Sequence, residues 1–236
     1  QLLATVIALT VMVASANAVT LFADTFDRSD NTDLNASTDG KSGSLGALDW
    51  VEVGNSADDD PAISGNQLTL GEFLAAGGWS IVYADHNFTD AIITTGGEFT
   101  VKTEISTTGS GGGTRFNGFA VGHSKAEVDG WAANNPASFD SDFFFGYDTT
   151  GTKEVKTFIN GGTEDFQQSI NLDSGAELSV RFSSITDFNA GSSVNYEAFI
   201  DGGSVKTGSF TWSGTNENYI TLYSNFTGLS AIQDNF

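Results

Sequence analysis

Glu177-Leu178-Ser179-Val180-Arg181-Phe182 and, a few residues on, Val194-Asn195-Tyr196-Glu197-Ala198-Phe199-Ile200-Asp201-Gly202-Gly203 decide the fold. In the first stretch Leu178, Val180 and Phe182 alternate with Ser179 and Arg181, and in the second Val194, Tyr196, Ala198 and Ile200 repeat the device. A period of two places the apolar set on one face of a half-buried strand. Asp201-Gly202-Gly203 supplies residues able to adopt positive φ, so the runs at Val194 and Val205 read as a hairpin.

Outward from this hairpin, the same chemistry recurs. Candidate strands are Leu21–Phe26, Trp50–Val53, Gln67–Leu70, Trp79–Tyr83, Glu98–Ile105, Phe116–Gly122, Asp142–Tyr147, Val155–Ile159, Glu177–Phe182, Val194–Ile200, Ser204–Trp212, Tyr219–Asn225 and Ala231–Phe236, separated by Gly, Asn, Asp and Ser. No segment keeps a helical period beyond about two turns, so helices are expected only as short decorations. Phe143-Phe144-Phe145 breaks the alternation and predicts a strand covered on both sides. The glycine run Gly109 to Gly113 sits between two strand candidates and reads as a hairpin loop rather than a domain boundary. About a dozen antiparallel strands must double up to hide their edges. The expectation is therefore an all-β, two-sheet antiparallel β-sandwich of the jelly-roll kind.

The first eighteen residues stand apart. An uncharged apolar run, Leu2 to Ala14, is followed by Ser15-Ala16-Asn17-Ala18, the small-x-small pattern of a signal-peptidase site. The run falls short of the roughly 20 apolar residues that span a bilayer. Residues 1–18 are read as a signal peptide lacking its basic start, and residues 19–236 as one β-sandwich domain working outside the cytoplasm or at the cell surface.

Nine Lys and Arg stand against 30 Asp and Glu, a net charge of −21. That surface repels phosphate backbones and anionic headgroups, which argues against nucleic-acid partners and against membrane insertion of the mature domain. There is no cysteine, so stability must come from the core. Aromatic residues make up 12% of the chain, which separates it from acidic disordered sequences and supplies that core.

Three stretches carry a resemblance. Leu21-Phe22-Ala23-Asp24-Thr25-Phe26-Asp27-Arg28, the Asn195 to Gly203 hairpin and the closing Ile232-Gln233-Asp234-Asn235-Phe236 resemble the concanavalin A-like, laminin-G-like domains of bacterial exported proteins. The resemblance implies a curved jelly roll in which the N-terminal "DxFDR" strand lies beside the C-terminal "DNF" strand. It also brings glycoside hydrolases into consideration, since that superfamily contains them. Retaining enzymes on this fold use Glu-x-Asp-x-Glu on one strand, which brings two carboxyls about 5 Å apart. The nearest match here, Glu127-Val128-Asp129-Gly130-Trp131, lacks the third acid and is broken by glycine. No catalytic residue is assigned.

His86 and His123 read as hydrogen-bonded surface or loop residues, and two histidines without cysteine do not make a zinc site. Calcium, with its preference for oxygen ligands, is the cofactor expectation. If the first and last strands meet, carboxylates of Asp24 or Asp27 and of Asp234 could hold one structural calcium ion; a solvated acidic edge is the plain alternative. Sugar stacking needs aromatic faces beside polar groups. Trp131 with Asn134 and Asn135, in a loop, has that mix. Tyr147, Trp79 and Trp212 are weaker candidates because strand aromatics normally enter the core.

The sequence thus predicts an exported module that binds an extracellular glycan or matrix polymer without catalysis. The alternatives are a self-associating subunit of a surface layer, matrix or filament, and a glycan-cleaving hydrolase or lyase recognisable by paired carboxylates in a cleft.

Overall fold

The computed structural model describes residues 19–54, 61–70, 80–107, 116–130, 141–149, 151–214, 216–224 and 231–234. The expected signal segment lies outside them. The elements in chain order are β1 (Ala23–Asp24), β2 (Lys41–Ser42), β3 (Trp50–Gly54), β4 (Ala62–Ser64), β5 (Gln67–Leu70), β6 (Ser80–Ala84), α1 (Thr89–Thr94), β7 (Phe99–Thr107), β8 (Phe116–His123), α2 (Lys125–Gly130), β9 (Phe143–Asp148), β10 (Glu154–Ile159), β11 (Thr163–Ser169), β12 (Ala176–Ser183), β13 (Ser193–Ile200), β14 (Gly203–Thr211), β15 (Tyr219–Ser224) and β16 (Ala231–Asp234). Two seven-stranded antiparallel sheets result. Sheet I runs β11-β10-β9-β8-β15-β6-β3, sheet II runs β14-β13-β12-β7-β16-β5-β4, and β1 and β2 form a small ribbon.

The core lies between the sheets because the alternating strands turn their apolar residues the same way. Leu178, Val180 and Phe182 of β12 and Val194, Tyr196 and Ala198 of β13 meet Phe119, Val121, Phe143, Phe145 and Tyr147 of sheet I in one buried cluster. The β13–β14 hairpin forms as read: Ile200 pairs with Gly203, and Asp201 and Gly202 both take positive φ, at 49° and 74°. At the open side of the sandwich Tyr196 of sheet II donates a hydrogen bond to Asp165 of β11 in sheet I, and the Lys206 ammonium sits 3.0 Å from the same carboxylate.

Sheet I is apolar on both faces. Val53, Ile81, Tyr83, Phe116, Ala120, Phe144, Phe158 and Tyr223 form a second buried cluster on its outer side, with Val128 of α2 packed among them. This explains why Phe143-Phe144-Phe145 does not alternate: all three rings are fully buried, Phe143 and Phe145 inward and Phe144 outward. Close approach of the two backbones dictates a glycine at the β8–β9 pairing. A methyl group on Gly118 would lie 2.3 Å from the Phe145 carbonyl oxygen.

Two expectations about the termini change. The opening segment forms only the two-residue β1, paired with β2, while the closing strand β16 lies between β7 and β5. The first and last strands therefore do not meet. The N-terminal segment reaches the β4 edge of sheet II through an isolated bridge, Asn31 to Ile63, and through Asp30, which accepts the Gly65 backbone N–H at 2.9 Å. The reason is local: Asp24 organises its own neighbourhood, as described below. Strand β11 also escapes the sequence reading, because Thr163-Glu164-Asp165-Phe166-Gln167-Gln168-Ser169 is an edge strand with no apolar alternation to announce it.

Candidate functional site

The outer face of sheet I carries the most chemistry. Its rim is built by β6, β15 and the short helix α2. Helix α2 begins with a reciprocal cap in which the Ser124 backbone N–H donates to Glu127 Oε2 at 2.7 Å and the Glu127 N–H donates to Ser124 Oγ at 3.3 Å. The cap fixes the helix as it leaves β8, and the i,i+4 spacing then puts Lys125 and Asp129 side by side. Both reach Tyr83, whose ring lies in the buried outer layer. Lys125 Nζ donates to Tyr83 Oη at 2.8 Å and to Asp129 Oδ1 at 2.7 Å, and Tyr83 Oη donates to Asp129 Oδ1 at 2.6 Å. The ammonium also lies 5.1 Å above the Tyr83 ring centroid.

Around this triad stand Asp85, 3.9 Å from Lys125 Nζ, Glu217, which accepts the Lys125 backbone N–H at 2.7 Å, and Tyr219, whose half-buried ring packs edge-on to Tyr83 at 5.9 Å. Lys125, Asp129 and Asp85 keep 39%, 52% and 50% of their side chains exposed, so the rim is open to a ligand. Burial, followed by the bond to Asp129, pushes the Tyr83 hydroxyl up to about 12. Hydrogen bonds to Asp129 and Tyr83 hold the Lys125 ammonium above its usual value, and the same bonds hold Asp129 below the usual carboxylate range.

Farther along the same face, Lys156 Nζ sits 2.9 Å from Asp148, 3.2 Å from Glu154 and 3.7 Å from Glu164. Asp148 and Glu154 face one another across β9 and β10. They form a close carboxylate pair, but the ammonium is clamped between them and Gln167 Nε2 donates to Glu154 at 2.6 Å. On the outer face of sheet II a polar cleft of about 470 Å³ is lined by Arg181, Ser183, Asn195, Glu197, Thr207 and Ser209, among others. Arg181 and Glu197 close an ion pair of 2.6 Å across it.

The residues expected to bind ligand fall in different places. Trp131, Asn134 and Asn135 lie outside the described residues. Tyr147 is on the inner face and fully buried, donating to Asp173 at 3.0 Å and accepting from the Leu172 N–H at 3.1 Å. Burial pushes its hydroxyl up to about 12, and no sugar can reach its ring. Trp212 is likewise core, and Trp79 lies outside the described residues.

Asp24 is fully buried and saturated. Its carboxylate takes Arg28 Nη1 at 2.6 Å and Nη2 at 3.0 Å, the Trp50 indole N–H at 2.8 Å and the Phe26 backbone N–H at 2.8 Å. Any ion at Asp24 would have to displace a bidentate guanidinium. Asp27 is exposed and Asp234 stands on β16, away from β1. Among the described residues no group of three or more potential metal ligands converges.

Two more sequence readings are corrected. The segment Glu127-Val128-Asp129 is helical, so its carboxylates serve the cap and the triad instead of sharing a strand face. His123, expected at the surface, is 1% exposed at the end of β8, and burial pulls its imidazole down to about 3. The signal missed in the sequence is Ser124-x-x-Glu127, a capping box that predicts α2 and with it the pairing of Lys125 and Asp129.

No family model matches the chain, and no curated protein matches it in sequence. Solved structures do. A double mutant of alginate lyase Aly36B in complex with alginate tetrasaccharide is 12% identical, with 92% of this chain and 96% of that one covered, at a TM-score of 0.50. Carbohydrate binding module CBM66 from Bacillus subtilis is 11% identical, covering 78% and 91%, at 0.44. A legume lectin-like domain from Entamoeba histolytica is 10% identical, covering 79% and 87%, at 0.45. At such identities the likeness is one of fold: the chain is an all-β, two-sheet sandwich of concanavalin A-like architecture.

Proposed function

We propose that this chain is an exported, non-catalytic β-sandwich that binds an extracellular glycan or matrix polymer on the outer face of sheet I, at Lys125, Asp129, Asp85 and Tyr219, with buried Tyr83 positioning Lys125 and Asp129 from beneath. The observation that carries this reading is the half-buried Tyr219 ring, set edge-on against buried Tyr83, beside a half-exposed rim of fixed donors and acceptors. A pyranose needs that mixture, because its C–H face packs on rings while its hydroxyls seek paired polar groups. The fold is shared with a protein whose structure holds an alginate tetrasaccharide. The absence of catalysis is argued from protonation. General acid–base groups work best near the operating pH, whereas Tyr83 and Lys125 are both driven away from it and the Asp148–Glu154 pair is occupied by Lys156.

The laminin-G-like branch of the fold, a structural calcium ion and a stacking role for Trp131 with Asn134 and Asn135 belong to the same proposal. The test is a glycan array run on residues 19–236 with wild type, Asp129→Ala and Trp131→Ala, with and without calcium. Binding to a defined saccharide that falls at least tenfold in Asp129→Ala, with an unchanged circular dichroism spectrum, supports the site. Undiminished binding in that variant moves the ligand elsewhere.

A second reading, a self-associating surface subunit, draws on the two long edge strands. β11 and the nine-residue β14 are tied at the same side of the sandwich through Tyr196, Lys206 and Asp165, and both are largely exposed. Exposed edges template strand pairing between copies. Concentration-dependent sedimentation abolished by Gln168→Pro would favour that reading.

A further inference from the structure

Resting on the saccharide reading, we infer that this face selects against acidic glycans and takes saccharides that carry no negative charge. The argument is a charge balance. Among the described residues two ammonium groups stand on the outer face of sheet I, and both are already committed. Lys125 is held by Asp129 at 2.7 Å with Asp85 at 3.9 Å; Lys156 is held by Asp148, Glu154 and Glu164 within 3.7 Å. Among the described residues these two cations therefore face five carboxylates, with Glu217 a sixth at the rim. A uronate or sulfate is recognised by an uncommitted guanidinium or ammonium, with short charge-assisted bonds. Here such an anion would have to compete with a carboxylate already 2.7 Å from Lys125 Nζ, and it would meet Asp85 and Asp129 as like charges. Half-exposure of those two carboxylates weakens the repulsion without removing it, because sites within a few ångströms lie inside the screening length of about 8 Å at physiological salt. The protein's net charge of −21 adds a long-range field of the same sign, which slows the approach of a polyanion.

Neutral hydroxyls meet none of these penalties. Asp85 and Asp129 are strong acceptors for sugar O–H groups, and the Tyr219 ring offers an apolar surface next to them. The Tyr219 hydroxyl is raised first by burial and then by the charges of Glu217, Asp85 and Asp129 against Lys125, which places the ring within the same negative field. An amino sugar would gain from that field.

Three matched hexasaccharides test the inference: a neutral glucan, its C6-oxidised uronate form and a glucosamine oligomer, each titrated into residues 19–236 at low and high salt. The expectation is that the neutral form binds about tenfold more tightly than the uronate at low salt, with the gap closing as salt rises; the glucosamine oligomer is at least as tight as the neutral form. Asp85→Asn, at an exposed turn position, should narrow the neutral-to-uronate gap several-fold. Equal or tighter binding of the uronate by wild type at low salt overturns the inference while leaving the saccharide reading intact. A folded protein that binds none of the three removes the saccharide reading and this inference with it.

Discussion

Asp24 shows how one carboxylate can organise a chain terminus without disulfide or metal. It accepts four hydrogen bonds, and its partner Arg28 also donates from Nη2 and Nη1 to the Leu34 and Asp39 carbonyls, at 3.1 and 3.0 Å. Between them Phe26 is held at a φ of 52°, a left-handed conformation that a bulky residue adopts only when its surroundings impose it. Replacing Asp24 with Asn leaves a buried guanidinium uncompensated, and breaking such a pair costs about 3–5 kcal/mol. Thermal melting of Asp24→Asn should therefore fall by roughly 6–20 °C at this chain size, and an unchanged melt would show that Arg28 is not held as described. The motif was legible in the sequence but its role was not: acid spacing alone does not distinguish a metal ligand from the anchor of a guanidinium four residues on.

At the scale of elements, α2 is the piece that makes the rim. Its cap is local, so Ser124→Ala should cost about 1 kcal/mol by denaturant titration and also loosen Lys125 and Asp129, read as a fall in saccharide binding larger than the stability loss explains. The turns and close approaches predict a contrast between two glycines. Gly202 sits at a φ of 74° in an open turn, so Gly202→Ala should cost about 1–2 kcal/mol, the penalty of a left-handed residue. Gly118 has the Phe145 carbonyl where a methyl would go, and the backbone of β9 would have to move; Gly118→Ala should cost more than about 3 kcal/mol or prevent folding. Equal losses in chemical denaturation would contradict the β8–β9 register. Strands that alternate, such as β12 and β13, were readable because a half-buried face imposes its period on the residues. β2, β4 and β11 were not, since pairing there is decided by neighbours distant in sequence rather than by composition.

For the whole molecule, the feature on which the proposed site rests is the double burial of sheet I, which places an aromatic layer outside the core and a charged rim above it. The sequence hinted at it through Phe143-Phe144-Phe145, yet which connection covers that layer depends on tertiary packing that no local pattern encodes. The same compact packing predicts an acid sensitivity. Buried His123 is neutral in the fold, with its value down to about 3 against an ordinary 6.5. The unfolded chain thus binds the additional proton between those values, and stability present above pH 6.5 is lost as pH falls toward 3. The slope from this group reaches about 1.4 kcal/mol per pH unit. Urea titrations between pH 6.5 and 5, where most carboxylates stay ionised, should show that slope in wild type and a flatter one in His123→Gln; identical slopes would mean that His123 is reachable by protons in the fold.

The central claim is that Lys125 and Asp129, positioned by buried Tyr83, form a saccharide site with Tyr219. Its most direct measurement is isothermal titration of a neutral hexasaccharide selected on the array into wild type and into Asp129→Ala, both verified as folded. The account predicts saturable binding by wild type that weakens at least tenfold in the variant, and equal binding by both proteins would contradict it.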